Sequence, residues 1–533
     1  MTDRIRLHEG NRKWWTLAAM CFALFMVMLD NTVVTVALPS IQRDLAGSLS
    51  SLEWTVNAYT LTFSVLLVTG GRMGDIFGRR TMFLFGVIAF ALSSALIGLA
   101  PTQELLVAGR ALQGIGAAFM MPGTLSIISD AFPPEERGRA IGTWAGVSGL
   151  ALAIGPVVGG ALSEYVSWRA IFFLNLPVAV GAVVVTLFAA RNSRDETVER
   201  SIDIPGIAAL TVGLSAVVLA LIEANRWGWG STEIVGLFVA AAVGLVAFVV
   251  IETHTRVPIV DFSFFRSRTF VGANLVAVVM AFAMMAQFFF IAIYMQNILG
   301  YSALGAGVRF LPATLMVVVV APIAGRLADK IGPKIPILVG LSLIALSLFL
   351  QSHLNNSTGY GTLLPPFMIL GFGIALTMSP MSTAAMNAVQ LTKAGVASGI
   401  LSMNRIFGGT LGIAVTGALF HSLFRSRLHE QVGGTVLAKW PGEKMFEAVS
   451  GGQTAQLTRG VPTEQAQQVR HVARDAFVQA LAGSLRLSLA IVVAGGVIAA
   501  FVIQGRGVPA RKQRIGDVRP EAIAEPAAAR SWS

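Results

Sequence analysis

Gly71-Arg72-Met73-Gly74-Asp75-Ile76-Phe77-Gly78-Arg79-Arg80 and, 254 positions later, Gly325-Arg326-Leu327-Ala328-Asp329-Lys330-Ile331-Gly332-Pro333-Lys334 follow one pattern. In both, Gly-Arg is followed by a small residue, an Asp, a second Gly and a basic end. Each decapeptide joins two long apolar runs. One copy is a weak signal, but two in register imply a chain built from related halves. Paired halves of this kind are an architecture of secondary transporters.

Of the 533 residues, 55% are hydrophobic and 13% charged, against about 25% charged in soluble domains. Apolar stretches long enough to cross ~30 Å of hydrocarbon begin near residues 14, 54, 80, 104, 138, 168, 204, 233, 270, 305, 335, 361, 396 and 484. The first follows a short basic start without a small-residue cleavage site, so it reads as a retained span.

The net charge of +11 invites a nucleic-acid reading, but its placement argues otherwise. Arg4, Arg12, Lys13, Arg72, Arg79, Arg80, Arg137, Arg139 and Arg191 fall on one side of the alternating spans. Only Arg43, Arg169, Arg226 and Arg309 fall in short segments on the other. That asymmetry is the positive-inside bias, and it puts both termini in the cytoplasm. The expected partner is the lipid bilayer, not nucleic acid. The single cysteine, Cys21, rules out an intrachain disulfide and Cys-based metal sites, and the six histidines lack ligand spacing. No phosphate-binding Gly-rich loop ending in Lys-Ser/Thr is present, nor any nucleophile–base arrangement. The expectation is therefore no cofactor, no metal and no enzymatic activity.

Few ionisable groups lie inside the spans, where each costs roughly 2.5–3.5 kcal/mol on insertion scales and marks function by default. Asp30 sits near the outer end of span one, in Leu29-Asp30-Asn31-Thr32-Val33-Val34-Thr35-Val36-Ala37-Leu38-Pro39. Arg110 sits early in span four, with Gln113, Gly114 and Gly116 following. Both lie roughly 9–12 Å from the outer end of their helices, which permits a pair. Such a pair could be a structural tie. It could equally be a proton site, since burial favours the neutral acid and a nearby guanidinium the charged one. Arg405, in span thirteen, has no sequence partner; it could meet substrate or backbone carbonyls.

The two decapeptides resemble the loop motif of the major facilitator superfamily, which lies between the second and third helices of each half. With six spans per half the copies would lie six helices apart; here eight intervene. The simplest account is two six-helix bundles with two inserted helices, which resembles the fourteen-span drug:proton antiporter branch (EmrB/QacA type). The resemblance implies a cytoplasmic N-terminus at 1–13, a first bundle at 14–190, two additional helices with linkers at 191–269, and a second bundle at 270–505. The tail at 506–533 is expected to be disordered. An extracytoplasmic loop at 422–483 carries Val469, Val472, Ala473, Ala476, Phe477, Ala480 and Leu481 at amphipathic spacing. Such a helix reads as lying on the membrane surface or, as in several relatives, forming a flap over the outer mouth.

The same resemblance assigns roles. Asp30 matches the first-helix acid associated with proton coupling, and Arg110 belongs to the fourth-helix motif beside it. Gly155-Pro156 with Gly159-Gly160 matches the signature of proton antiporters, which implies export. The loop residues Gly71, Arg72, Asp75, Gly78, Arg79 and Arg80, with Gly325, Arg326 and Asp329, are expected to form an inner gate. The second copy is expected to contribute less, because Pro333 replaces Arg79. Candidate substrate contacts are Asn31, Tyr59, Gln113, Gln287, Phe288, Tyr294, Met378 and Arg405, since Met and Phe re-pack around varied shapes. The implied function is proton-coupled efflux of amphiphilic compounds from a protein of the cytoplasmic membrane, with a monomer as the working expectation. Export of a lipid or siderophore-like metabolite, or a non-transporting receptor or scaffold, are the alternatives.

Overall fold

Continuous apolar runs can satisfy their backbone N–H and C=O groups in lipid only as helices or closed barrels, and this chain takes the helical solution. The computed structural model describes residues 9–45, 49–194, 203–255, 258–355, 358–432 and 463–504. Among these residues there is no strand. The tail at 506–533 and the middle of the 422–483 loop lie outside them.

The first six helices are α1 (Glu9–Leu45), α2 (Leu49–Phe77), α3 (Arg79–Gly98), α4 (Gln103–Ala131), α5 (Pro134–Tyr165) and α6 (Trp168–Ala189). A hairpin of α7 (Ile204–Trp227) and α8 (Thr232–His254) follows. Then come α9 (Arg268–Asn297), the short α10 (Ala303–Arg309), α11 (Leu311–Ile331), α12 (Lys334–Gln351), α13 (Tyr360–Asn387), α14 (Ala394–Val432) and α15 (Thr463–Val502). The starts carry local signals: Thr102, Ser167, Asp203, Ser231, Ser267 and Ser302 each accept a backbone N–H of the first turn.

Twelve candidate spans are long and apolar enough to cross a membrane. Helices α2 and α5 are not among them. Asn57, Thr60, Thr62, Ser64 and Thr69 dilute the apolar character of α2, and α5 carries Thr143, Ser148 and many glycines. Both sit where the two halves meet: α2 packs on α14, and α5 on α11. Each contact joins the second long helix of one half to the fifth of the other. Helices that face protein instead of lipid have less need of apolar surface. The α7–α8 hairpin packs on itself, and α7 also touches α2 and α14.

The segment 463–483 differs from its sequence reading. It is no separate surface helix but the first half of the 40-residue α15, continuous with the span that follows. Its Phe477 packs on the C-terminal part of α14, where Phe420 meets it edge-on at 5.0 Å and stacks on Phe290 at 4.9 Å. Phe477 is 1% exposed. Phe477→Ala is expected to cost about 3 kcal/mol, seen as a lower thermal midpoint of the solubilised protein.

Candidate functional site

Helix N-termini leave backbone N–H groups without partners and carry partial positive charge. Asp75 uses this across the two halves, and Asp329 makes a related contact one turn into a helix. Asp75, at the end of α2, accepts Gly395 N at 3.0 Å and Val396 N at 2.9 Å from the start of α14. Asp329, at the end of α11, accepts Gly138 N at 2.9 Å and Arg139 N at 3.1 Å from the start of α5. The helices approach so closely that a Cβ on Gly71 would collide with the Gly395 carbonyl, and one on Gly325 with that of Gly138. Gly78 and Gly332 turn the chain with φ of +104° and +87°, where side chains are strained.

The basic residues break this symmetry. Arg79 bonds Asp75 at 3.0 Å and reaches the carbonyls of Leu391 and Thr392 in the other half. Nothing at Pro333 can do the same. Arg72 is buried, with Glu252 of α8 in its field, whereas Arg326 is exposed. Arg80 stays within its own half, on the carbonyls of Leu187 and Ala190. The second copy thus keeps its aspartate contact and lacks the arginine one. Arg137 adds a cross-half bond to Asn387 at 3.0 Å that the sequence did not suggest.

The linker after α8 is fastened to the same end by Lys393–Asp261 at 2.5 Å. Burial alone would raise the Asp261 carboxyl, but the donors Lys393 and Ser263 outweigh it and hold it at about 2. Stability from a depressed carboxyl is present above its unfolded value and lost as pH falls through the folded one, so this tie persists down to about pH 2. At the opposite end the contacts of Asp44 with Trp168 and Arg169, and of Tyr360 with Arg309, stay within one half.

The second cluster lies inside the first half. Arg110 Nη1 donates to Asp30 Oδ2 at 2.5 Å and to Gln113 Oε1 at 2.6 Å. Gln113 Nε2 donates to Asp30 Oδ1 at 3.0 Å, and Asn175 Nδ2 to the same oxygen at 3.1 Å. Arg110 Nε is held by the Thr55 carbonyl at 2.9 Å, and its guanidinium lies over the Tyr59 ring at 4.3 Å. Asp30 and Arg110 are each 1% exposed. Every contact presents an N–H to the carboxylate, the pattern of an ionised, acceptor-only group.

Two members were not anticipated, Asn175 of α6 and Ser94 of α3, which accepts Asn175 Nδ2 at 2.9 Å. An Asn two residues before a proline in an otherwise apolar span was the available signal. Asn175→Ala strips a donor from both Asp30 and Ser94, and is expected to cost about 1–3 kcal/mol, read as a thermal midpoint lowered by a few degrees.

The antiporter-type glycines sit beside this cluster. A Cβ on Gly155 would collide with Thr32, and one on Gly159 would lie 3.0 Å from Val33 Cα, on the α1 turn that follows Asp30. Among the described residues, the nearest to a Cβ on Gly160 is Leu304, at 4.0 Å. Further along α5, Gly142 and Gly146 abut Ala321, Pro322 and Val318 of α11 in the other half. Helix α5 therefore touches both the Asp30 turn and the opposite half.

The remaining candidates scatter. Asn31 bonds its own helix at Val27, and Tyr294 bonds the Asn355 carbonyl at 2.8 Å. Phe288 packs edge-on against Phe310, and Met378 is partly buried against the core. Gln287 is fully buried near Ser347, which also accepts Gln351 at 2.9 Å. That site is an uncharged counterpart of the first-half cluster, on α9 and α12. Arg405 lies over the Trp144 ring of α5 at 5.5 Å.

The model of the Major Facilitator Superfamily matches residues 20–413. The chain belongs to that superfamily. It is 38% identical to the tetracenomycin C resistance and export protein of Streptomyces glaucescens, over 80% of this chain and 78% of that protein. It is 35% identical to the multidrug resistance protein Stp of Mycobacterium tuberculosis, over 76% of this chain and 75% of the other. In structure it resembles a bacterial homologue of the human lysosomal transporter Spinster, with TM-score 0.55 at 18% identity, covering 92% of this chain and 98% of that one. The superfamily fold and the helical spans make this a multi-pass membrane transporter.

Proposed function

We propose that the protein is a proton-coupled antiporter that exports amphiphilic drugs or other toxic compounds across the cytoplasmic membrane by alternating access. In this reading it has fourteen spans, with α2 and α5 crossing as well as the twelve more apolar helices. Helices α7 and α8 (191–269 with their linkers) are the pair inserted between the 14–190 and 270–505 bundles. Both termini, and the end closed by Asp75 and Asp329, face the cytoplasm. Relatives named for resistance and export support the direction of transport.

The observation that carries proton coupling is the Asp30 carboxylate, buried and held by donors from α4 and α6. A proton on Asp30 would set a hydroxyl against these donors and leave Arg110 facing a neutral partner. The tie between α1, α4 and α6 would loosen. Helix α5 packs on the next turn of α1 at Gly155 and Gly159 and on α11 at Gly142, so a shift at Asp30 is felt where Asp329 clamps α5. Proton binding and substrate binding would then each prefer a different state, as coupling requires. Uncoupler-sensitive efflux of fluorescent dyes from cells tests the reading. A panel of cationic, neutral and anionic dyes of which none is exported would reject it.

A further inference from the structure

Among the described residues, the carboxylates of the helices that are withdrawn from the surface are engaged. Asp30 is bound by Arg110, Asp75 by Arg79 and the α14 N-terminus, Asp329 by the Gly138 and Arg139 amides of α5, Glu223 by Arg226, and Glu252 by the Ile259 and Val260 amides. None of these five is left to receive a cationic ligand, and the exposed Glu104, Asp130, Glu164 and Glu233 lie at helix ends.

The unsatisfied charge has the opposite sign. Arg405 of α14 has no carboxylate within ion-pair distance and no hydrogen bond among the described residues; its contact is the Trp144 ring. Trp144 is fully buried, and its indole Nε1–H has no acceptor either. An arginine carries five donors and no acceptor, and an indole one donor. A buried donor left unmade is costly, and here the buried indole N–H lies beside a partly exposed guanidinium that has no anionic partner. Arg405 remains partly exposed, and a guanidinium is a planar group that stacks on planar partners.

The place is equally specific. Trp144 and Arg405 belong to the two helices that the gate aspartates clamp. Trp144 lies six residues beyond Gly138, roughly 9 Å along α5, and Arg405 ten residues beyond Gly395, roughly 15 Å along α14. The long arginine side chain leans back toward the start of its helix and closes the difference. The pair thus sits just behind the closed end, between the two halves.

Building on the efflux reading, we propose that Arg405 and Trp144 form the recognition site for the acidic group of the substrate, and that the substrates are amphiphilic organic anions, carboxylates or phenolates on a planar body. An anion held there bridges α5 and α14 and favours the state in which this end is closed.

Two xanthene dyes of similar shape and opposite charge, fluorescein and rhodamine 6G, make the test. Their binding to the full chain in nanodiscs is read by fluorescence anisotropy. The native protein is expected to bind fluorescein the more tightly. Arg405→Gln should weaken fluorescein about tenfold or more, Arg405→Lys should weaken it less, and Trp144→Phe severalfold, with rhodamine 6G unchanged throughout. Retained affinity of Arg405→Lys shows that loss in Arg405→Gln is not misfolding. Fluorescein affinity that is absent in the native chain, or equal in native and Arg405→Gln, overturns the site. Vesicle transport of the same dyes separates the two readings. Arg405-dependent binding without transport of any dye keeps the site and rejects efflux; transport of both dyes indifferent to Arg405→Gln keeps efflux and rejects the site.

Discussion

Cells carrying Asp30→Asn are expected to lose uncoupler-sensitive dye efflux by tenfold or more. Asparagine is nearly isosteric, so packing among α1, α4 and α6 survives. Its amide cannot take or release a proton, and its NH2 turns a donor toward neighbours that are themselves donors: Arg110, Gln113 and Asn175. Removing one partner of a buried pair leaves the other charge uncompensated, a cost of about 3–5 kcal/mol. Membrane abundance must therefore be measured beside efflux. The double variant Asp30→Asn/Arg110→Gln removes the stranded charge and is expected to recover abundance without recovering uncoupler-sensitive efflux. Exchange of dye down its own gradient needs no proton and should persist in both. A purely structural pair would behave differently, since the double variant would regain efflux together with abundance.

Neutralising Asp75 is the second large effect. Asp75→Asn weakens two bonds to the α14 N-terminus and leaves Arg79 without its carboxylate. Charge-assisted bonds of this kind are worth about 1.5–3 kcal/mol, enough to shift a two-state equilibrium tenfold or more toward the open end. The measurement is labelling of a cysteine placed at Asn387, beside Arg137, after the single native Cys21 is replaced by serine. A membrane-impermeant maleimide applied to the cytoplasmic face should label it severalfold faster in Asp75→Asn than in the parent. Asp329→Asn should produce a smaller change, because Pro333 supplies nothing like the Arg79 contacts across the halves. Equal labelling in all three proteins would remove the gate from the account.

Much of this arrangement was legible in the sequence, and the reasons are physical. Lipid allows so few backbone solutions that apolar runs gave helix positions to within a few residues for most spans. Asp30 and Arg110 stood out because charges inside spans are costly and few. The paired decapeptides carried their aspartate register into two contacts with backbone amides of the opposite half. What the sequence hid depended on tertiary placement. Asn175 and Ser94 are ordinary polar residues until α6 brings Asn175 to Asp30 and α3 brings Ser94 to accept from Asn175. The continuity of α15 was missed because its first half is polar enough to read as a surface helix, whereas Phe477 of that half packs against Phe420 of α14. The burial of Gln287 and Tyr294, and their bonds to Ser347 and the Asn355 carbonyl, likewise depend on helices distant in sequence. Arg405 had two open readings from sequence, and the absence of any carbonyl bond in the described structure favours a ligand.

The most direct test of proton-driven export uses the purified native chain in proteoliposomes with a pH-sensitive dye inside. An imposed proton gradient should drive the transported dye against its concentration gradient, and a dye gradient alone should drive protons the opposite way. Dye movement that neither responds to the proton gradient nor moves protons would contradict the account.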